Sequence, residues 1–441
     1  AIAAWDRLKR RRGLPEPEEP LTTIVRFLGF EVGYERVREV KRGADWVMLR
    51  VKMTASNLAR PIPQFGSQAE RQYDIVCLWE RPGADTIAAR LGHIGLSRRT
   101  VLAMYLGRLT ERQLNDIGRV SREQQLALAV LDETLLIFLA AQRDARLPVF
   151  LRCALPYACV NPYTPFSAGE VPPEIFFGRE EMLRELINPS GSCLVYGGRQ
   201  LGKSALLRRA VRELHDPDNE QYAFVKDIKT VGDPQAGHGP EHLWRHLRDG
   251  LADAGLLVSA RIEKSERIAE AIRKAVLSKP RRRVLALLDE ADHFLDADAK
   301  ENFGVTNALR QLMFDTSRRF KVVLAGLHNV QRFHGIPNQP LAHFGTPILV
   351  GPLEPRAARQ LVVEPLEALG YRFENEAAVL RILSFTNYHP GLIQLFCHRL
   401  IKQKQAEAQL PPPFVISQAD VEAVYSCLLY TSDAADEGLG V

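Results

Sequence analysis

Residues 192–207, SCLVYGGRQLGKSALL, decide how the rest of the chain is read. Gly197 is followed by four residues and then by Gly202-Lys203-Ser204, the spacing of a phosphate-binding loop. Glycines let the backbone curl until successive N–H groups point at phosphate oxygens. A lysine then reaches the β- and γ-phosphates, and the hydroxyl beside it holds Mg²⁺. The context agrees: 193–196 is an apolar run of strand length, and 204–211 has helical spacing. The loop thus opens a helix whose N-terminus favours anions. The residues expected to cradle phosphate are Gly197, Gly198, Arg199, Gln200, Leu201, Gly202, Lys203, Ser204 and Ala205.

Working outward, residues 283–290, RVLALLDE, form an apolar run that ends in two carboxylates. A buried strand there delivers Asp289 to hold Mg²⁺, through water, with Ser204. Glu290, next in line, polarises an attacking water. The next run, 320–329 (FKVVLAGLHN), ends in His328 and Asn329, either of which is placed to sense a γ-phosphate. Arg318, Arg319 and Arg332 are candidates to stabilise transition-state charge, in cis or across subunits, against the commoner reading as surface arginines. Residues 354–369, 374–385 and 392–408 have helical spacing and suit a lid over the nucleotide. His238, His242 and His246 lie four apart; with no further ligand in sight, an exposed helix face is expected rather than a metal site.

Before the loop, residues 21–60 alternate short apolar runs with charges and read as a small mixed segment with strands near 46–53; from residue 73 the pattern is regular, with strands at 74–79, 100–107, 126–132 and 149–156 and helices at 85–96, 109–125 and 133–145 between them. That alternation predicts a parallel sheet covered on both faces. Asp45, Arg50 and Lys52 resemble a nuclease arrangement, but Arg50 stands where the second metal carboxylate belongs. Asp74, Glu80, Asp132 and Glu133 fall near strand ends, where ligands bind or helices are capped. Residues 155–175 are rich in proline and turn formers and are expected to be a linker or an ordered extended segment.

The whole is 441 residues, 46% hydrophobic and 25% charged, with a net charge of +5 that gives a nucleic-acid partner no support. The basic cluster at 7–12 reads as a solvated arm. No apolar run approaches the ~18 residues of a membrane span. The six scattered cysteines offer neither zinc spacing nor a disulfide framework, so a cytoplasmic setting is expected.

The motifs Phe177-Gly178-Arg179-Glu180, GGRQLGKS, LLDEAD, LAGLHN and Tyr388-His389-Pro390-Gly391 together resemble the STAND-type signalling ATPases of bacteria and archaea, relatives of AAA+ proteins. The likeness spans about residues 170–430. It implies that Arg179 lies by the adenine and that His389-Pro390 closes the lid on the nucleotide. It departs from the family pattern at Met182 and at Asn387-Tyr388, where glycines are common. Members usually carry a further domain after the lid. The chain begins without methionine, and 427–441 (CLLYTSDAADEGLGV) resembles translated adaptor sequence that breaks the preceding helix. A gene fragment with a non-native tail is therefore the expectation.

The fold class expected is α/β: a P-loop NTPase parallel sheet over 176–352 and a helical lid over 353–426, preceded by a separate α/β N-terminal domain over 1–154. The leading reading is an ATP-binding and hydrolysing signalling switch using ATP and Mg²⁺, with a homo-oligomer in the ATP state and an effector as partners and no membrane. The alternatives are a DNA-associated ATPase of the origin-recognition or repair type and a nucleotide-binding scaffold with negligible turnover. The absence of an Asn-Lys-x-Asp motif disfavours GTP, and the absence of LSGGQ disfavours transporter ATPases.

Overall fold

The protein is represented by a computed structural model that describes residues 1–10, 17–43, 45–55, 72–87, 100–123, 127–143, 146–158, 161–165, 171–235, 237–256, 262–327, 341, 344–407 and 412–436. Helix α1 (Ile2–Arg10) buries Trp5 and Leu8. Residues 7–10, expected in a solvated arm, are therefore helical, with Arg7 paired to Glu19 at 2.7 Å. Helix α2 (Glu18–Leu28) buries Leu21, Ile24, Val25 and Leu28, a stripe at helical spacing. It stops at Gly29, whose φ of 104° is the left-handed conformation that ends helices.

Strands β1 (Phe30–Arg42), β2 (Trp46–Ala55), β3 (Gln72–Leu78) and β4 (Thr100–Tyr105) follow, then α3 (Glu111–Glu123), β5 (Ala127–Leu131), α4 (Glu133–Ala141) and α5 (Arg146–Ala154). The sheet runs β1-β2-β3-β4-β5. Its last two pairings are parallel, as expected for the strands from residue 74 on, while β1 and β2, from the segment read as mixed, join the same sheet through antiparallel pairings. Between the first two strands a tight turn, with Gly43 N–H bonded to Trp46 O, folds β2 straight back on β1. The strand expected at 149–156 is helix α5 instead. Leu147, Phe150, Leu151 and Ala154 recur at helical spacing and are all buried, a period that a short apolar run conceals. Of the helix expected at 85–96, residues 88–96 lie outside the described residues.

Helix α6 (Glu180–Ile187) leads into the second sheet. Its strands are β6 (Leu194–Tyr196), then, after α7 (Lys203–Leu214), β7 (Gln221–Asp227). Helices α8 (Leu243–Asp253) and α9 (Ser265–Leu277) precede β8 (Arg283–Asp289). Helices α10 (Asp292–Lys300) and α11 (Gly304–Asp315) precede β9 (Phe320–Gly326), and β10 (Ile348–Leu349) closes the set. All pairings are parallel, in the order β10-β6-β9-β8-β7. Every residue of β9, Lys321 included, and all of β8 except Arg283, is buried, as strands in the middle of a covered parallel sheet are. Chain order and spatial order part beside β6, so a crevice opens at its carboxyl end.

The lid comprises α12 (Pro355–Ala368), β11 (Tyr371–Phe373), α13 (Glu376–Thr386), α14 (Pro390–Glu407), β12 (Phe414–Ile416) and α15 (Gln418–Asp436), with β11 and β12 a parallel pair. Helix α15 continues through residue 427 to Asp436, so the break expected at the tail does not occur. Leu, Tyr, Ser and Ala in 428–435 tolerate helix well enough to extend one already anchored by Val421 and Val424. The apolar interior of the lid is continuous with that of the N-terminal sheet through Leu155, Ala158 and Tyr163. Among the described residues no helix is long and apolar enough to cross a membrane.

Candidate functional site

The crevice at the carboxyl ends of β6, β8 and β7 holds a cavity of about 670 Å³. The loop after β6 and the first turn of α7 form its floor: Arg199, Gln200, Gly202, Lys203, Ser204 and Ala205 line it. The loop needs its glycines for two different reasons. A Cβ on Gly197 would lie 2.2 Å from Val350 O, where β10 presses against the loop. Gly202, the residue before α7, has φ 94°, which an L side chain resists. Gln200 holds φ 56° without that freedom.

Lys203 folds back over its own loop, Nζ donating to Gly197 O at 2.7 Å and Gly198 O at 2.9 Å. It is only 7% exposed, and burial lowers its pKa against the opposing pull of Asp289, Glu290 and Asp292. An ammonium so placed is poorly solvated and suited to an incoming anion. Ser204 Oγ donates to Asp289 Oδ2 at 2.6 Å, joining the start of α7 to the end of β8. Hydroxyl and carboxylate oxygens are the hard donors that Mg²⁺ takes, so this pair fits that ion. Glu290 lines the cavity and stands at φ 58°, its N–H bonded to Asp289 Oδ1 at 3.0 Å. The unfavourable backbone turns it out of the strand at the cavity edge.

The lid supplies the far wall through Pro390, Gly391 and Gln394. Pro390 occupies the first turn of α14, where its missing N–H costs nothing. His389 Nδ1 faces Leu392 N at 3.4 Å and is not among the lining residues. Arg179 is also off the cavity surface. Its buried guanidinium donates to Gly351 O and, at 3.5 Å, to Leu201 O, linking the loop to the segment that enters the lid. Burial lowers its pKa while Glu354 raises it. Gly178, beside it, approaches Ala357 of α12 so closely that a Cβ would lie 2.4 Å from the alanine methyl.

His328, Asn329 and Arg332 lie outside the described residues. Arg318 and Arg319 precede β9 and so sit at the end of the sheet opposite the cavity. Arg319 Nη1 is spent on Lys279 O at 2.8 Å and Pro280 O at 3.1 Å. That position takes both away from a cis transition-state role, and Arg319 has a structural one instead. His242 belongs to a separate turn, 240–242, rather than to α8, so the three histidines do not share a helix face; His238 and His242 stack at 4.6 Å. In the N-terminal sheet, Arg50 Nε pairs with Asp74 Oδ1 at 2.9 Å across β2 and β3. Asp132 caps α4 through Leu135 N, and Glu133 pairs with Lys9. Among the described residues no cluster of three or more His, Cys, Asp or Glu could hold a metal.

Asp227, Lys229, Asp292, His293, Leu327 and Gln394, together with Thr164, Pro165 and Val171, also line the cavity and are not among the residues expected there from the motifs. Asp292 had a signal, as the last acid of LLDEAD; its Oδ2 accepts from Leu327 N at 2.7 Å, tying α10 to the end of β9. The proline-rich residues had none, because only the packing of the lid brings them to the site.

A family model described as Novel STAND NTPase 1 matches residues 156–410. No curated protein matches the chain. Among solved structures, the Aeropyrum pernix ORC1 protein in complex with DNA aligns at TM-score 0.38 and 14% identity, over 58% of this chain and 68% of that one. The Aeropyrum pernix ORC2 protein in its ADPNP-ADP complexes aligns at TM-score 0.42 and 13% identity, over 56% and 67%. Drosophila ORC bound to DNA aligns at TM-score 0.36 and 17% identity, over 52% and 62%. Likeness at this level says nothing about what the chain does.

Proposed function

The chain belongs to the Novel STAND NTPase 1 family, and from that premise we propose that it is an ATP-binding and ATP-hydrolysing switch whose lid angle follows the nucleotide. One observation carries the reading: Lys203 and Ser204 at the start of α7, Glu290 just after β8, and Pro390 and Gly391 from the lid line one cavity, and Asp289 at the end of β8 meets it through Ser204 Oγ.

In this reading the loop N–H groups and the start of α7 receive the phosphates, and Lys203 turns from the Gly197 and Gly198 carbonyls to the β- and γ-oxygens. Ser204 and Asp289 hold Mg²⁺, which neutralises charge on the phosphates when bound. Glu290 orients and polarises the attacking water, and its proton leaves along that carboxylate. The N-terminus of α14 closes on the nucleotide, and loss of the γ-phosphate relaxes it. Arg179 sets the angle through Gly351. An effector would be driven by that angle.

The test is ATP turnover and ATP binding by the wild type and by Glu290→Gln. The variant should bind ATP as the wild type does and release phosphate at least a hundredfold more slowly. Turnover within threefold of wild type removes Glu290 from its role. Tight binding with no turnover in the wild type would leave a nucleotide-dependent scaffold instead.

A further inference from the structure

Helix α12 carries Pro365 in its interior. Proline has no N–H, so the carbonyl four residues earlier, that of Leu361, loses its helical donor. Leu361 is 2% exposed, and water is a poor substitute there. The missing donor comes from outside the helix: Tyr163 Oη donates to Leu361 O at 2.9 Å and lies 3.2 Å from Val362 O. Tyr163 is itself 2% exposed, so the bond is made in the interior.

The residues around Tyr163 are held on their other side by α14. Asn161 Nδ2 donates to His398 O at 3.3 Å, and His398 Nδ1 lies 3.3 Å from Tyr163 O. Thr164 N donates to Gln394 Oε1 at 3.3 Å. Residues 161–165 therefore form a strap across two lid helices. Thr164, Pro165 and Gln394 all line the cavity. Because Thr164 N occupies the Gln394 oxygen, the amide keeps Nε2 as its donor end, and that atom has no partner among the described residues. The strap also continues into the N-terminal sheet's apolar interior through Ala158 and Leu155.

We propose that Tyr163 is a positioning residue for the nucleotide: by donating to the carbonyl that Pro365 orphans, it pins the 161–165 strap and holds the Thr164–Gln394 wall against the bound nucleotide. The proposal rests on the reading of this cavity as the nucleotide site.

The pairing with Pro365 supplies a test that ordinary loss of packing would not mimic. ATP with Mg²⁺, and ADP, are titrated calorimetrically into the full chain as wild type, Tyr163→Phe, Pro365→Ala and the double variant, with folding followed by thermal melting. Tyr163→Phe removes one hydroxyl and leaves the ring. A wall that is no longer pinned is competent for only part of the time, and apparent affinity falls by that fraction. The Kd for both nucleotides should rise about tenfold, with kcat at saturating ATP within about twofold. In the Pro365→Ala background the alanine N–H reaches Leu361 O, and Tyr163→Phe should then change Kd by less than about twofold. Should Pro365→Ala fail to fold, Gln394→Leu replaces it, and Tyr163→Phe should add nothing to that variant's loss. The proposal is overturned if Tyr163→Phe binds like the wild type, or if its loss is undiminished in the second background. No binding by the wild type would remove the nucleotide reading, and this proposal with it.

Discussion

Replacing Lys203 with methionine keeps the length of the side chain and deletes its charge. The ammonium is 7% exposed and rests on two carbonyls at 2.7 and 2.9 Å. A phosphate oxygen brought to about 3 Å of it gains roughly 5 kcal/mol at an effective dielectric constant of about 20. Turning away from the two carbonyls gives back part of this, about 1.5 kcal/mol or more for a charged donor. The surplus of about 3–4 kcal/mol corresponds to a loss of roughly 10²–10³-fold in ATP affinity, and a smaller loss for ADP, which lacks the γ-phosphate. Calorimetric titration of both nucleotides, with thermal melting as the control, measures it. The pH profile gives an independent reading. Burial holds the free protein's Lys203 below the ordinary 10.5, and bound phosphate raises it again. Binding therefore requires the charged form, and wild-type affinity falls as pH rises through that lowered value. Methionine abolishes this alkaline decline. ATP affinity within threefold of wild type in a normally melting variant refutes the reasoning.

Three further outcomes are expected. Gly197→Ala puts a Cβ 2.2 Å from Val350 O, so it should lower the melting temperature and abolish ATP binding; a normally binding variant would mean that the loop and β10 separate easily. Arg319→Ala removes the donor to Lys279 O and Pro280 O far from the cavity, and should cost about 1–3 kcal/mol of stability while leaving turnover within twofold; a selective fall in kcat would restore the arginine to the chemistry. Lys321 is buried, its Nζ donating to Leu186 O and Asn188 O, and burial pushes its pKa down to about 8. With the unfolded value near 10.5, the charged form weakens the fold below pH 8, and the penalty is relieved as pH rises to 10.5, by about 3 kcal/mol in all. Denaturant melts of wild type and Lys321→Met should show the wild type gaining on the variant across that window, whereas a constant difference would mean that the carbonyls fully solvate the ammonium.

Much of the second sheet was legible because its signals are local. Loop spacing, a buried run ending in Asp289-Glu290 and the helical periods of the lid each follow from residues near one another in sequence. The N-terminal sheet was harder. Residues 149–156 present an apolar run short enough for either period, and α5 emerged only because tertiary burial selects Leu147, Phe150, Leu151 and Ala154 together. Strand direction was legible from residue 74 on, where helices between apolar runs imply parallel pairing, and hidden before it, where the turn at Gly43 leaves similar apolar segments behind.

What the chain determines by itself is the chemistry on offer: a phosphate loop, two acids at a strand end and a family resemblance that the matched model over residues 156–410 makes a membership. Only the tertiary structure decides which side chains meet around it. It sends Arg179 to Gly351 O, moves Arg319 to the opposite end of the sheet, and draws Thr164 and Pro165 out of a proline-rich stretch onto the cavity wall. The reason is that motifs depend on spacing along the chain, whereas a carbonyl orphaned by Pro365 finds Tyr163 some two hundred residues away only once helices pack.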